Sequence, residues 1–202
     1  MVTGPSEGKK RAVIVAGPTA SGKSAAAMAI AREFDGVVIN ADSMQVYEEL
    51  RVLSARPSTD DEAAVSHRLY GIWKAAEHGT VGRWRTAALA EIDVANKAGK
   101  LAVLCGGTGM YLKLLVEGLS AVPPIPAEVR EASRALLAKI GHAEFFADLV
   151  RRDPASGAKL SPADTQRILR AWEVVIATGI PLGAHQAADP PHAARSGRPA
   201  VD

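Results

Sequence analysis

The segment GPTASGKS, residues 17–24, has the spacing G-x-x-x-x-G-K-[ST] that is typical of a phosphate-binding loop. The apolar run AVIVA at 12–16 precedes it and predicts a buried parallel strand, and an alanine-rich helical pattern covers 22–34. Glycines let backbone N–H groups converge on phosphate oxygens, and the helix N-terminus adds partial positive charge. The segment therefore predicts strand, loop and helix, but it leaves open whether a nucleotide or another diphosphate is bound.

Strand and helix patterns continue to alternate through the first half of the chain. GVVIN at 36–40 and LAVLC at 101–105 predict buried strands, and apolar residues recur at helical spacing over 83–97. This alternation predicts an α/β fold, a P-loop NTPase-like parallel sheet flanked by helices. Ligands of such sheets bind beyond the carboxyl ends of the strands.

The pattern changes at the proline-rich stretch AVPPIPAE, after which only helical periodicity is evident. Ser161 to Asp164 (SPAD) resembles a capping box with proline at the first helical position, opening a helix with Ile168, Trp172 and Val175 on one face. We therefore predict a P-loop core over 1–121, a small all-helical lobe over 122–186 and a disordered tail over 187–202.

Composition indicates more about the compartment in which the protein acts than about its chemistry. Cys105 is the only cysteine in 202 residues, so no disulfide can form within the chain, which fits a reducing cytosol. The first ten residues lack an apolar signal core, and no apolar run is long enough to span a bilayer. A net charge of +2 permits an RNA or phosphate partner without requiring one. We expect a cytoplasmic protein that does not engage a membrane.

Polar side chains follow the predicted strands at the edge where ligands bind. Asp42, in ADSMQVY, could bind Mg²⁺, act as a general base or cap the next helix, and Gln45 and Tyr47 are types that contact nucleobases. Thr108, in GGTGMY, could direct a hydroxyl toward the same anion or lie in a tight turn that binds nothing. Lys23 would neutralise the outer phosphate.

Gln166, Arg167 and Arg170 lie opposite the apolar face of the last predicted helix. Such arginines are either a solvated surface or, paired with the amide, a clamp for an RNA backbone. Cys105 is best explained as a small buried residue, and no Cys/His cluster has metal-site spacing.

Taken together, these segments resemble the tRNA dimethylallyltransferases, also called tRNA isopentenyltransferases. The resemblance covers roughly 11–186, in the family's order and spacing, and it is specific because several distinct motifs carry it. The matching stretches are GPTASGKS (17–24), INADSMQVY (39–47), LSARPS (53–58), HRLYG (67–71), LAVLCGGTGMYLKLLVEGL (101–119), PAEVR (126–130) and SPADTQRILRAWEVVIATGIPL (161–182).

The resemblance implies a prenyl transfer reaction. The dimethylallyl group would pass from dimethylallyl diphosphate to the exocyclic N6 amine of the adenosine 3′-adjacent to the anticodon in tRNA, with diphosphate as the leaving group. The expected partners are the tRNA anticodon stem-loop and the prenyl diphosphate, the expected cofactor is Mg²⁺, and the chain is expected to act as a monomer.

The resemblance also implies roles for the residues at matching positions. Asp42 resembles the family's general base, Thr108 matches the threonine beside the reacting groups, and Lys23 stabilises the leaving charge. Ser24 would ligate Mg²⁺. The expected diphosphate-binding residues are Gly17, Pro18, Thr19, Ala20, Ser21, Gly22, Lys23 and Ser24. The expected tRNA-binding residues are Asp42, Ser43, Met44, Gln45, Arg130, Gln166, Arg167, Ile168, Leu169 and Arg170.

Three alternatives remain at this stage. A P-loop nucleotide or small-molecule kinase would also use Lys23, Ser24 and an aspartate at a strand end. An isopentenyltransferase of free adenine nucleotides would need no helical RNA-binding lobe. Because family members continue beyond Gln186 with further core strands and an arginine-bearing stretch, the third alternative is an inactive remnant whose sheet has an exposed edge.

Overall fold

A computed structural model describes residues 11–118 and 122–188, which fall into two compact units, Met1–Glu117 and Gly118–Asp202. The predicted fold class is confirmed: the first unit holds a parallel sheet flanked by helices, and the second is helical over its described residues. The predicted tail lies outside the described residues except for its first two, which belong to the last helix. Within the described ranges, no helix combines the length and apolar character that crossing a membrane requires.

The elements alternate as expected up to the unit boundary. In the first unit they are β1 (Ala12–Ala16), α1 (Lys23–Glu33), β2 (Gly36–Asn40), a 3₁₀ turn (Glu48–Leu50), α2 (Thr59–Ala64), β3 (His67–Arg68), α3 (Val81–Lys97), β4 (Leu101–Gly106) and α4 (Gly109–Glu117). In the second unit they are α5 (Ala127–Arg152), α6 (Pro154–Lys159), α7 (Thr165–Thr178) and α8 (Leu182–Ala188).

The four strands are parallel and lie in the order β1-β4-β2-β3. Their apolar side chains are buried on both faces of β2 and β4, as continuous hydrophobic strands of parallel sheets require. One face packs against α3, where the Trp84 ring stacks on Tyr111 at 4.2 Å and its Nε1–H donates to the Asn40 carbonyl at 2.9 Å. The other face packs against Ala27 and Met28 of α1. Packing on both faces therefore supports the sheet at the edge where its strands end.

Strand β1 departs from the prediction of a buried strand. Val13 and Ile14 are 37% and 40% exposed, and within the described residues β1 pairs only with β4. An apolar sequence shows that a strand can be buried, but burial also requires a neighbour to cover it. The strand that leads into the phosphate loop is thus an edge strand here.

The helical unit has its own core, formed by Phe145, Leu149, Ile168 and Trp172. Gly141 adopts φ 79° and ψ 169° and kinks α5, so that one helical segment follows another within Ala127–Arg152. The predicted capping box at 161–164 was wrong: Asp164 caps α7 and accepts the backbone N–H of the third helical residue. Val174, rather than Val175, completes the buried face of α7.

The Asp148 carboxylate on α5 accepts three hydrogen bonds, one of which, from Trp172, joins α5 to α7. Its carboxylate accepts from Arg152 Nε at 2.7 Å, Trp172 Nε1 at 2.8 Å and Arg151 Nη2 at 3.1 Å, and its side chain is 14% exposed. The hydrogen bond from Arg152, followed by those from Trp172 and Arg151, outweighs burial and lowers the pKa of Asp148 from 3.8 to about 2. The charged carboxylate therefore stabilises the folded unit above its unfolded pKa.

We expect Asp148→Asn to lower the free energy of unfolding by about 1 to 2 kcal/mol at pH 7. Because the folded pKa is the lower one, this stabilisation is lost as pH falls from 3.8 toward about 2. Urea unfolding followed by circular dichroism at pH 7 and at pH 2.5 measures the difference, with Glu144→Gln on the same helix as control. Equal stability of the wild type and Asp148→Asn at pH 7 would refute this role.

Candidate functional site

The phosphate loop connects β1 to α1 through residues 17–22 in a compact, largely exposed turn. Gly22, the residue before the helix, has φ 79°, and Ala20 has φ 63°, so two loop residues adopt the left-handed conformation. Lys23 Nζ donates to the Pro18 carbonyl at 3.1 Å. The N–H groups of the first turn of α1, together with the Lys23 ammonium, form a cationic end to the helix that suits an anion.

Asp42 lies in a tight turn directly after β2. Its Oδ1 accepts the Met44 N–H at 2.9 Å, and its own N–H donates to Asn40 Oδ1 at 2.8 Å. No hydrogen bond engages the other carboxylate oxygen, Oδ2, within residues 11–118 and 122–188. Asp42 therefore caps no helix, and one of its oxygens remains available to accept a proton or a metal ion.

Thr108 fixes this turn from the neighbouring strand. Its Oγ1 accepts the Ser43 N–H at 2.9 Å and donates to Ser43 Oγ at 3.3 Å, and its backbone N–H donates to the Ala41 carbonyl at 3.3 Å. These hydrogen bonds position the residue after Asp42, and the contact of the Thr108 hydroxyl with an anion stays a prediction. The sequence did not indicate the contact with Ser43 because it joins residues 65 positions apart.

The loop and the Asp42 turn lie at the same edge of the sheet. β4 pairs with both β1 and β2, and a Cβ placed on Gly107 would lie 3.1 Å from the Gly17 carbonyl oxygen. Cys105, at the end of β4, has its pKa raised chiefly by burial, and it lies within the electrostatic influence of Lys23 and Asp42. The structure thus brings together the predicted phosphate loop, Asp42 and Thr108 on three adjacent strand ends.

Gln45 has a different role from the one expected. Its Nε2 donates to the carbonyls of Ser54 and Ala55, at 2.8 and 3.2 Å. The amide nitrogen is thus occupied in holding the 53–58 segment, and the contact of Gln45 with a nucleobase stays a prediction. Ser43 and Met44 remain in the turn that Asp42 opens, and the Met44 side chain is exposed.

The predicted RNA-contacting residues of the second unit lie on α5 and α7. Arg130, Gln166, Arg167 and Arg170 are exposed, as a contact surface requires. Ile168 was wrongly included, because its side chain is 1% exposed and belongs to the core of the unit. Leu169 also packs against this core, although it is only partly buried.

A groove of about 270 Å³, which no sequence pattern indicated, lies beside α7. Lys159 adds a third cation to Arg167 and Arg170, while Leu160 and Leu182 supply an apolar part of its lining. Arg167 is partly neutralised by Asp164 at 2.9 Å. The clustering of Lys159 with the α7 arginines arises because α6 and α7 both pack against α5 and α8, so no periodicity in the sequence indicates it.

Within the described ranges, no group of three or more His, Cys, Asp or Glu side chains is placed to hold a metal ion. The Ser24 hydroxyl, in the first turn of α1, can supply one oxygen ligand beside the loop. Such a sparse set suits Mg²⁺, which commonly takes one or two protein oxygens together with phosphate oxygens and water.

The family model described as IPP transferase matches residues 45–200. This match extends past Gln186, where we expected the resemblance to end. Among curated relatives, a tRNA dimethylallyltransferase from Rhodospirillum rubrum is 55% identical over 174 residues, covering 86% of this chain and 53% of the relative. One from Rhodospirillum centenum is 51% identical over 183 residues, covering 89% and 58%. The chain spans about half the length of the curated relatives it matches.

Two solved structures of transferases also align with most of this chain. The full-length tRNA isopentenylpyrophosphate transferase of Bacillus halodurans aligns with a TM-score of 0.55 and 29% identity, over 86% of this chain and 57% of that one. A eukaryotic dimethylallyltransferase described as acting on tRNA aligns with a TM-score of 0.77 and 26% identity, over 89% of this chain and 45% of that one.

Proposed function

This chain belongs to the IPP transferase family, and on that premise we propose that it transfers a dimethylallyl group from dimethylallyl diphosphate to an adenosine of tRNA. The acceptor is the exocyclic N6 amine of the adenosine 3′-adjacent to the anticodon. The observation that carries the proposal is the shared edge of β1, β4 and β2, which presents a phosphate loop and an aspartate with an available oxygen together. A donor diphosphate and an attacking amine need these two features side by side.

The phosphate loop binds the diphosphate of the donor. Its N–H groups and Lys23 offset a negative charge that grows as the carbon–oxygen bond to the allylic carbon breaks. The Ser24 hydroxyl suits a Mg²⁺ ion, which when bound would neutralise phosphate charge further. These interactions lower the barrier to departure of diphosphate from the allylic carbon.

Asp42 accepts the proton that the acceptor loses. The adenine amine is a weak nucleophile, so its attack is assisted when a nearby base removes a proton as the nitrogen–carbon bond forms. Oδ2 of Asp42 is the proton acceptor, while Oδ1 stays bonded to the Met44 N–H. Thr108 holds the turn through Ser43 and so acts as a positioning residue. The products are the prenylated adenosine and free diphosphate.

The helical unit supplies the RNA contacts. Its groove carries Lys159, Arg167 and Arg170, which suit phosphate groups, next to apolar side chains that suit an unstacked base. Relatives whose names specify tRNA as the substrate support a macromolecular acceptor rather than a free nucleotide. A target base in a stacked loop must be extruded to reach a protein site. We infer that the chain acts in the cytoplasm as a monomer, with its single cysteine reduced.

We expect Lys23→Ala to weaken the binding of inorganic pyrophosphate by about 30- to 100-fold, because the substitution removes the ammonium group nearest the phosphates. Isothermal titration calorimetry with Mg²⁺ present measures the affinity. Lys100→Ala is the matched control, since Lys100 pairs with Asp35 at 2.6 Å at the opposite end of the sheet. Unchanged pyrophosphate affinity in Lys23→Ala would contradict the role of Lys23 in binding the diphosphate. Tight binding of ATP with ATP turnover would instead favour a P-loop kinase.

A further inference from the structure

A cavity of about 110 Å³ adjoins the phosphate loop on the α1 side of the sheet. Ser24, Met28 and Cys105 line one part of it, and Arg56 and Tyr70 line another. Burial raises the pKa of Tyr70 far above its ordinary value, so its hydroxyl remains a neutral hydrogen-bonding group. At roughly 30 Å³ for each water molecule, the cavity has room for a small group that extends from the loop. Neither the sequence motifs nor the proposed reaction has assigned a role to Arg56.

The Arg56 guanidinium is buried but poorly satisfied. Its side chain is 9% exposed, yet its nearest ion pair, with Glu62, is 3.9 Å long. Its Nη1 donates to the Glu48 carbonyl at a marginal 3.5 Å, and Nε has no hydrogen-bond partner among the residues that the structure describes. Buried guanidinium groups normally use most of their five N–H donors. An unpaired Nε in a side chain that lines a cavity indicates a missing acceptor.

The surrounding backbone is built to hold this side chain. Gly71 adopts φ 58°, and a Cβ at that position would collide with the guanidinium of Arg56. Ala55, the preceding residue, adopts φ 51°, a conformation that non-glycine residues adopt only when the surroundings enforce it. The Gln45 amide fixes the carbonyls of Ser54 and Ala55. Arg56 is therefore held in place by several independent contacts rather than resting in a flexible loop.

The acids near Arg56 determine what kind of contact it can make. Glu62 lies closer to Arg51, at 3.4 Å, than to Arg56. The Asp61 carboxylate, which also lines the cavity, accepts hydrogen bonds from the Ser58 side chain and backbone, and these lower its pKa and keep it ionised. Glu62 pairs with Arg56 and Asp61 lines the same cavity, so the surroundings of the guanidinium are not strongly positive. Arg56 can thus contribute directed N–H donors, but little general attraction for anions.

We propose that Arg56 is a further substrate-binding residue, which donates hydrogen bonds from the cavity to an oxygen of the diphosphate held by the phosphate loop. This inference rests on the proposed function, because it requires a diphosphate at the loop. Ser24 and Arg56 line the same cavity, so a diphosphate oxygen that enters it from the loop would meet the donors of Arg56 as well as those of the α1 amides. The planar donor group selects a phosphate oxygen by geometry.

The test measures binding of inorganic pyrophosphate with Mg²⁺ to the whole chain by calorimetry. We expect Arg56→Gln to weaken binding about 10-fold and Arg56→Lys to weaken it nearly as much, because lysine keeps the charge but has no Nε–H donor. Arg51→Gln is the matched control: Arg51 pairs with the same Glu62 but lies outside the cavity lining. Arg56→Lys keeps the aliphatic stem, and thermal unfolding without ligand verifies that it is folded.

The outcomes separate this inference from the proposed function. Wild-type affinity in both Arg56 variants, while Lys23→Ala loses binding, overturns the role of Arg56 alone. Wild-type affinity in Arg56→Lys but not in Arg56→Gln overturns directed hydrogen bonding, since charge alone would then suffice. An absence of pyrophosphate binding by the folded wild type overturns the proposed function and this inference together.

Discussion

Asp42→Asn should reduce prenyl transfer by about 100- to 10,000-fold, the range typical of losing a general base. Asparagine keeps an oxygen that can accept the Met44 N–H, so the turn after β2 should retain its shape. The amide oxygen is too weak a base to take the proton of the attacking amine. The initial rate of label transfer from dimethylallyl diphosphate to an anticodon stem-loop, at saturating donor, measures the loss.

Two comparisons make this result specific to the base. Pyrophosphate affinity should stay within about threefold of the wild type in Asp42→Asn, because loop amides and Lys23 still bind the phosphates. Asp60→Asn is the matched control, since Asp60 is an exposed acid in the first turn of α2. An Asp42→Asn variant that transfers label at a rate near that of the wild type would show that another group removes the proton.

The second large effect is expected from Gly106→Ala, which should lower the free energy of unfolding by about 3 kcal/mol or more. A Cβ on Gly106 would collide with the backbone carbonyl of Ala41. Neither group can move easily, because Gly106 ends β4 and the fully buried Ala41 donates its N–H to the Cys105 carbonyl at 2.8 Å. Urea unfolding followed by circular dichroism measures the change.

Gly109→Ala is the matched control in the same glycine-rich segment. Nothing lies within 4 Å of a Cβ at Gly109, which begins α4, and alanine favours a helix more than glycine does. The control should therefore be neutral or slightly stabilising. Because β4 and the Asp42 turn are forced apart in Gly106→Ala, the variant should also lose transfer activity. If Gly106→Ala were as stable as the wild type, the end of β4 would not be packed tightly enough against Ala41 for an added Cβ to collide.

The fold was predictable wherever local chemistry and tertiary packing agree. The apolar runs of β2 and β4 are buried as predicted, and the loop motif joins a strand to a helix. β3 was missed because two residues carry no periodicity. The start of α7 was misplaced because Ser161 and Asp164 can both cap a helix, and only the packed structure selects Asp164. The exposure of β1 depends on what covers it, which its own residues do not specify.

The residues of the site were predictable from the sequence, but the hydrogen bonds and packing contacts between them were not. Parallel strands end at one edge, so the meeting of Asp42 with Thr108 and the loop followed from strand assignment alone. The hydrogen bonds of Thr108 to Ser43 depend on side-chain directions in irregular segments, where no period applies. The burial of Arg56 against Gly71 is of the same kind, because it depends on two turns distant in sequence.

The most direct test of the central claim is transfer of labelled dimethylallyl from its diphosphate to an anticodon stem-loop, with Mg²⁺ and the whole chain. The acceptor carries adenosine 3′-adjacent to the anticodon, and a matched stem-loop carries inosine there, which lacks the exocyclic amine. The account predicts label in the adenosine stem-loop only, with release of diphosphate. Folded protein that binds pyrophosphate but labels neither stem-loop, or labels both equally, would contradict it.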